Sequence, residues 1–338
     1  MQARACLREY YPTLRACPAG HYNLPVNLPE PVAWTGDALV ILDQRTLPRQ
    51  ETYVEARTPG DVATAIREMA VRGAPLIGIA AAYGLALAFT RGEDIDAAKK
   101  ALLGARPTAI NPFIALERVS EARDPVAEAI AIHEEEKKRC LRMAGHGAEL
   151  VKPGSAVLTH CNTGVLATGG LGTALGVVYR AHEQGKIGMV WVTETRPWLQ
   201  GARLTCWELG RAGVPHTLVV DGLAAFLMSR ARVDAVLVGA DRVAANGDVA
   251  NKVGTLSLAV SAKHFGVPFY VVAPTTSFDP HAPDGNAIPV EERPEEEALS
   301  FHGIRTAPDG TRALNHSFDI TPRGLVTGYV TEEGVREA

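Results

Sequence analysis

Cys161 and Asp241 lie far apart in a chain of 338 residues, yet each follows an apolar run that ends in polar residues. The stretch VLTHCNTG (157–164) sets a cysteine among polar groups and ahead of a Gly-rich turn. A thiol there is placed to react, whereas structural cysteines are usually buried as small hydrophobes. The stretch DAVLVGAD (234–241) ends the same way, on a carboxyl. Around these two stand donors suited to an anion. Arg72 precedes Gly73, Ala74 and Pro75 in RGAP, and an arginine beside a turn can grip a phosphate through paired hydrogen bonds. Arg106 before Pro107-Thr108 and Gln200 before Gly201 are similar in kind. Asn251 and Lys252 close NGDVANK (246–252), which reads as a polar loop opening a helix. Any one of these donors fits a solvated surface equally well.

Other chemistries lack their residues. The ten histidines form no H-x-x-x-H pair with a glutamate, so no metal site is expected. The five cysteines form no C-x-x-C, and no G-x-S-x-G marks a serine nucleophile. GGLGTALG (169–176) places Gly176 one residue too late for the dinucleotide spacing G-x-G-x-x-G. Its glycines read as close helix packing or as a phosphate-binding turn, and a nicotinamide-dependent oxidoreductase would need a correctly spaced loop.

The elements that must hold these residues change in texture along the chain. Residues 1–30 are polar and Pro-rich and read as an irregular extension. ALVILDQRTLP (38–48) reads as a strand. TPGDVATAIREMAVRG (58–73) reads as a helix capped by Thr58 or Asp61 and ended by Gly73. APLIGIAAAYGLALAF (74–89) reads as a buried helix, since it falls short of the ~20 residues that span a bilayer. Further helix is expected over 113–150, broken at Asp124-Pro125. We take 31–145 as a small N-terminal domain, mostly helical with a few strands, and 146–338 as the second domain. There, apolar runs at 155–160, 188–194, 216–221, 234–241 and 268–274 alternate with helical stretches such as 201–213 and 251–266. That alternation predicts a parallel, doubly wound sheet, hence an α/β fold. The five runs end in His160-Cys161, Glu194-Thr195-Arg196, Asp221, Asp241-Arg242 and Thr275-Thr276, which a parallel sheet aligns along its ligand-binding edge. Strand-capping polar residues are the plainer reading of each end taken singly. The Pro-rich segment 281–289 reads as a lid or as a surface connector, the connector being the plainer reading.

Composition is that of a globular protein, with 46% hydrophobic and 21% charged residues. A net charge of −4 argues against a nucleic-acid partner. The scattered, odd cysteine count suits a reducing compartment, and the N-terminus has no apolar signal core, so a cytoplasmic location without membrane attachment is expected.

Longer motifs, in order from about 36 to 335, carry a resemblance. RGAPLIGIAAAYGLALA, ARPTAIN, LTHCNTG, ETRPWLQGARLT, VGADRVAANGDVANKVGT, PFYVVAPTTSFD, IPVEER and FDITP together resemble the methylthioribose-1-phosphate isomerases. The wider superfamily includes regulatory subunits of translation initiation factor 2B and ribose-1,5-bisphosphate isomerases. The resemblance implies conversion of an aldose 1-phosphate to a ketose 1-phosphate in methionine salvage, with no metal or nucleotide cofactor. It implies Cys161 and Asp241 as the catalytic pair, and Arg72, Gly73, Ala74, Arg106, Gln200, Asn251 and Lys252 as substrate-binding residues. A smaller N-terminal domain on a Rossmann-like C-terminal domain, and a homodimer, are also implied. Val165, Gly170-Leu171, Pro112, Asp221-Gly222-Leu223 and Phe226 depart from the family pattern. We expect these departures to bear on the pocket for the sugar's C5 substituent, which keeps 5-deoxyribose 1-phosphate and related sugars as alternative substrates. A non-catalytic regulatory subunit is the other alternative, and it would not need Cys161 and Asp241 together.

Overall fold

The computed structural model describes residues 28–106, 110–301 and 303–338. Residues 1–27 of the expected extension, with Cys6 and Cys17, lie outside the described residues, as do Pro107 and Thr108.

Three short antiparallel strands come first: β1 (Val32–Trp34), β2 (Leu39–Leu42) and β3 (Tyr53–Ala56). The strand expected over 38–48 is thus confined to four fully buried residues. Helix α1 (Pro59–Arg67) begins at a reciprocal cap, in which Thr58 accepts from the Asp61 N–H and Asp61 accepts from the Thr58 N–H. It stops well before Gly73, because Met69 turns to a left-handed φ of 63°. Gly73 instead opens α2 (Ala74–Arg91). Only Pro75 and the last three residues of α2 escape burial, as expected for a helix that is apolar on all sides. Next come α3 (Ile95–Ala105), α4 (Ile110–Glu121) and α5 (Pro125–Ala148). The expected break at Asp124-Pro125 is an N-cap, with the Asp124 carboxylate accepting from the Ala127 N–H. Helix α5 packs on α2 and also on a helix of the second half, so the expected boundary at 146 falls in its last turn.

The second half alternates strands and helices. In order they are β4 (Ser155–Thr159), α6 (Val165–Thr168), α7 (Ala174–Glu183), β5 (Ile187–Thr193), α8 (Cys206–Arg211), β6 (His216–Val219), α9 (Ala224–Ser229) and β7 (Ala235–Val238). Then follow β8 (Arg242–Ala244), β9 (Val249–Lys252), α10 (Thr255–Phe265), β10 (Phe269–Val272) and β11 (Phe278–Asp279). The chain closes with α11 (Glu296–Leu299), β12 (Ser300–Phe301), β13 (Ile304–Arg305), β14 (Phe318–Thr321), β15 (Gly328–Thr331) and β16 (Gly334–Glu337). The main sheet has the order β16-β15-β10-β7-β4-β5-β6, and every pair in it is parallel except β15–β16. Its inner strands are β-branched and buried on both faces, with Val157, Val190, Val236, Val238 and Val271 at 0% exposure. Each such side chain contributes about 1.5–3 kcal/mol.

Two expectations are corrected. The helix read over 201–213 begins as one π-helical turn, Gly201–Thr205, before α8. NGDVANK does not open a helix: it is the turn and second strand of the β8–β9 hairpin, so Asn251 and Lys252 lie on β9 and α10 starts only at Thr255. Asn246-Gly247, with φ of 95° at the glycine, is the turn signal that the polar composition masked.

Candidate active site

The parallel strands run β6-β5-β4-β7-β10-β15, so the chain reverses its direction of growth between β4 and β7. Open α/β sheets bind ligands at the carboxyl ends flanking such a reversal. Thr159 of β4 is in register with Leu237 of β7, which brings Cys161 and Asp241 to the same edge. A cleft there encloses about 1040 Å³ not filled by protein atoms, part of it open to solvent. Its lining includes all nine residues singled out from the sequence: Cys161, Asp241, Arg72, Gly73, Ala74, Arg106, Gln200, Asn251 and Lys252.

Cys161 holds a left-handed φ of 63° and is 7% exposed. Its backbone is fixed on both sides: its N–H donates to Thr195 Oγ1 at 2.9 Å, and its carbonyl accepts from Thr205 Oγ1 at 2.6 Å. Before it, His160 donates Nε2–H to the Val253 carbonyl at 2.9 Å, which leaves Nδ1 to accept from Thr193 at 2.6 Å. Burial holds this imidazole below its usual pKa, so it is a neutral strut. After it, Asn162 donates to the buried carboxyl of Glu208 at 2.8 Å and accepts from Arg72 through both its side chain (2.5 Å) and its carbonyl (2.8 Å).

Glu208 was not singled out from the sequence, since WELG gives no local sign of a site. It also accepts from the Val165 and Leu166 N–H groups at the start of α6 and from the Tyr179 hydroxyl. One carboxyl therefore holds Asn162, the start of α6 and Tyr179 together, and burial raises its pKa despite these bonds.

Arg72 leads into α2, whose first residues Ala74 and Pro75 line the cleft, and a helix N-terminus suits an anion. Gly73 is required at this junction. It sits at φ of 96°, and a Cβ there would stand 2.5 Å from the Ala167 carbonyl oxygen. The glycines of 169–172 serve close packing, since a Cβ on Gly170 would lie 3.0 Å from the Lys137 Cα and 3.1 Å from Cys140 Sγ.

Asp241 follows β7, and its N–H donates to the Ala250 carbonyl, tying it to β9. Burial raises its pKa first of all; the positive charges of Lys252, Arg72 and Arg106 pull it down, and the negative charge of Glu291 pushes it up. Lys252 donates to the Ser317 carbonyl at 2.8 Å and lies 4.7 Å from the centre of the Phe318 ring. Burial lowers its pKa, while nearby Cys161 and Asp241 favour its charged form. Gln200 is 2% exposed, and its Oε1 has no partner among the described residues, so it awaits a donor. Arg106 is already paired, with Nη1 2.8 Å from both oxygens of Glu291.

One part of the wall is apolar, formed by Met69, Ile77, Ile288, Pro289 and Phe318, while Asn162, Thr163, Thr168, Thr173, Arg242 and Glu291 add polar lining. The segment 281–289 is thus more than the surface connector expected, because Ile288 is 7% exposed and faces the cleft. None of the departures from the family pattern, Pro112, Val165, Gly170, Leu171, 221–223 or Phe226, is part of the lining.

This is an α/β protein with a polar cleft at the switch point of a doubly wound sheet. The sequence profile of the Initiation factor 2 subunit family matches residues 70–338. A Thermus thermophilus protein named methylthioribose-1-phosphate isomerase is 51% identical over 299 residues, covering 87% of this chain and 90% of that protein. The crystal structure of 5-methylthioribose 1-phosphate isomerase from Pyrococcus horikoshii OT3 superposes with a TM-score of 0.85 at 42% identity, covering 94% of this chain and 95% of that one. A structure described as translation initiation factor eIF-2B, subunit delta, from A. fulgidus superposes with a TM-score of 0.79 at 41% identity, covering 91% and 96%. The chain belongs to the Initiation factor 2 subunit family, and within it to the branch of the methylthioribose-1-phosphate isomerases.

Proposed function

We propose that the chain converts 5-methylthioribose 1-phosphate to 5-methylthioribulose 1-phosphate, with Asp241 and Cys161 as the catalytic pair. That it is an isomerase follows from its kinship; the substrate and the route are the proposal. The observation that carries it is the convergence on one cleft of a desolvated carboxyl, a thiol and a set of cationic and amide donors.

The anomeric oxygen of such a substrate carries phosphate, so the free aldehyde cannot form and the ring must open with the ester in place. Asp241, its carboxyl pushed up by burial, gives its proton to the ring oxygen as the bond to C1 breaks. Hydrogen then moves from C2 to C1. By one route Cys161 as thiolate takes the C2 proton, giving an enol that is reprotonated at C1. By the other, C2 passes a hydride to C1 directly, and the 2-hydroxyl proton is lost as the ketone forms. In both, the proton spent on the ring oxygen is recovered from the substrate. Arg72, Arg106, Lys252, Asn251 and the start of α2 take the phosphate, and Gln200 Oε1 accepts from a sugar hydroxyl. Met69, Ile77 and Ile288 offer an apolar wall for a methylthio group.

A homodimer in the cytoplasm belongs to the same reading. Leu218 on edge strand β6, Val220 and Leu223 in the turn after it and Phe226 on α9, 37–59% exposed, offer apolar surface to a second copy.

The test is product formation followed by phosphorus and proton NMR with methylthioribose 1-phosphate, 5-deoxyribose 1-phosphate and ribose 1,5-bisphosphate in parallel. The methylthio sugar is expected to give the ketose 1-phosphate with the highest kcat/KM. Preference for another sugar overturns the substrate, and no turnover of any by folded protein leaves a regulatory role.

A further inference from the structure

Of the cationic residues expected to take the phosphate, Arg106 alone is salt-bridged among the described residues. Its partner Glu291 comes from 185 residues away, and the two side chains are 13% and 22% exposed. Arg106 ends α3 in the helical half, whereas Glu291 follows the Ile288-Pro289 wall of the cleft in the other half. The Glu291 carbonyl accepts from the Ser317 N–H, which anchors this segment beside Phe318. A second arginine stands ready for the carboxylate, with Arg293 Nη1 3.2 Å from Glu291 Oε1. A carboxylate and a phosphate offer a guanidinium the same paired oxygens. A partly desolvated arginine without a counter-charge is costly, and at Arg106 the Glu291 carboxylate supplies that charge before any ligand arrives.

We propose that Glu291 is the exchangeable counter-ion of the anion site, holding Arg106 aimed into the cleft and surrendering it to the phosphate of the incoming ligand. This rests on reading the cleft as a sugar-phosphate site. Arg293 keeps the displaced carboxylate from being stranded, and the exchange releases a tie between the two halves of the chain. Glu291 is therefore a positioning residue, acting through Arg106. Its charge also bears on the acid: Asp241 is faced by Lys252 on β9, Arg72 before α2, Arg106 at the end of α3 and Glu291 itself, and only Glu291 among these favours the protonated carboxyl.

Inorganic phosphate, titrated calorimetrically into the full chain, is the probe. Glu291→Gln keeps the shape and removes the charge. It is expected to bind phosphate about fivefold tighter, the worth of losing one partly exposed ion pair. The fall of kcat at high pH should also begin at lower pH, because a negative charge beside Asp241 has gone. Glu291→Asp keeps the charge and stays close to wild type in both. A merely structural role predicts weaker phosphate binding in both variants and an unmoved pH profile. That result, or unchanged affinity in Glu291→Gln, overturns the proposal. If Glu291→Gln does not fold, Arg293→Gln decides: Glu291 then clings to Arg106 alone and phosphate binds more weakly, whereas unchanged affinity overturns the exchange. Failure of the wild type to isomerise any sugar phosphate is a separate outcome. It removes the functional reading, while Arg106→Ala still reports whether phosphate meets Arg106, and undiminished binding by that variant refutes the exchange.

Discussion

Cys161 reaches the cleft because its neighbours spend their hydrogen bonds on holding the turn. Thr195 and Thr205 clamp its backbone, and Glu208 fixes Asn162, which in turn orients Arg72. Asp241 is the opposite case: nothing among the described residues hydrogen-bonds its carboxyl in a way that stabilises the charge, and burial sets its pKa. In the proposed mechanism Asp241 is the acid, and it works while protonated. Its pKa lies above the ordinary 3.8, so turnover is retained at acid pH and declines as pH climbs through the raised value. A kcat profile from pH 4 to 9 should therefore show a descending limb, and a profile that only rises contradicts the assignment. That Cys161, Asp241 and the proposed anion donors line one cleft was legible in the sequence, because each stands at a turn or a strand end. Glu208 and Glu291 were not, because their partners come from 43 and 185 residues away and no local pattern marks them.

Helix α5 is the element that joins the two halves, and His133 is its joint. The Tyr83 hydroxyl of α2 lies 3.2 Å from Nδ1, and Nε2–H donates to the Gly169 carbonyl at 3.1 Å. Burial, helped by the charge of Lys137, drops the His133 pKa to about 3. Below its unfolded value of about 6.5 the unfolded chain takes a proton that the folded chain refuses, so stability contributed by this group is present above 6.5 and lost as pH falls. Glu136, nearly one turn along, works in the other direction. Burial pushes it up to about 7, so its contribution is present below about 4.5 and lost as pH rises through 7. The two oppose each other between 4.5 and 6.5, and the wild-type profile alone does not separate them. His133→Gln does: in urea melts its deficit against wild type should narrow by about 1–2 kcal/mol between pH 7 and pH 5. A deficit that stays constant would show that His133 protonates normally. The helices of this half were legible from caps and apolar patterning except α3 (Ile95–Ala105), which went unread. The β8–β9 hairpin was not, since the polar residues of NGDVANK outweighed the Asn-Gly turn within it.

At the scale of the molecule, the doubly wound order places two residues from remote parts of the chain side by side. Sequence alternation foretold five of the six parallel strands; the sixth, β15, and its antiparallel neighbour β16 went unread because the chain reaches them after the irregular segment that follows β11. The departures from the family pattern are not among the cleft-lining residues, so they do not shape the pocket by direct contact. If Cys161 and Asp241 act as one device across the switch point, removing either disables it, and removing both does little more. The decisive measurement is kcat on methylthioribose 1-phosphate for Cys161→Ser, Asp241→Asn and the double variant, each shown to be folded. Each single variant should lose at least ~10² in kcat with KM little changed, and the double variant should be no worse than the poorer single one. Near-wild-type turnover in either single variant would remove that residue from the chemistry and contradict the shared site.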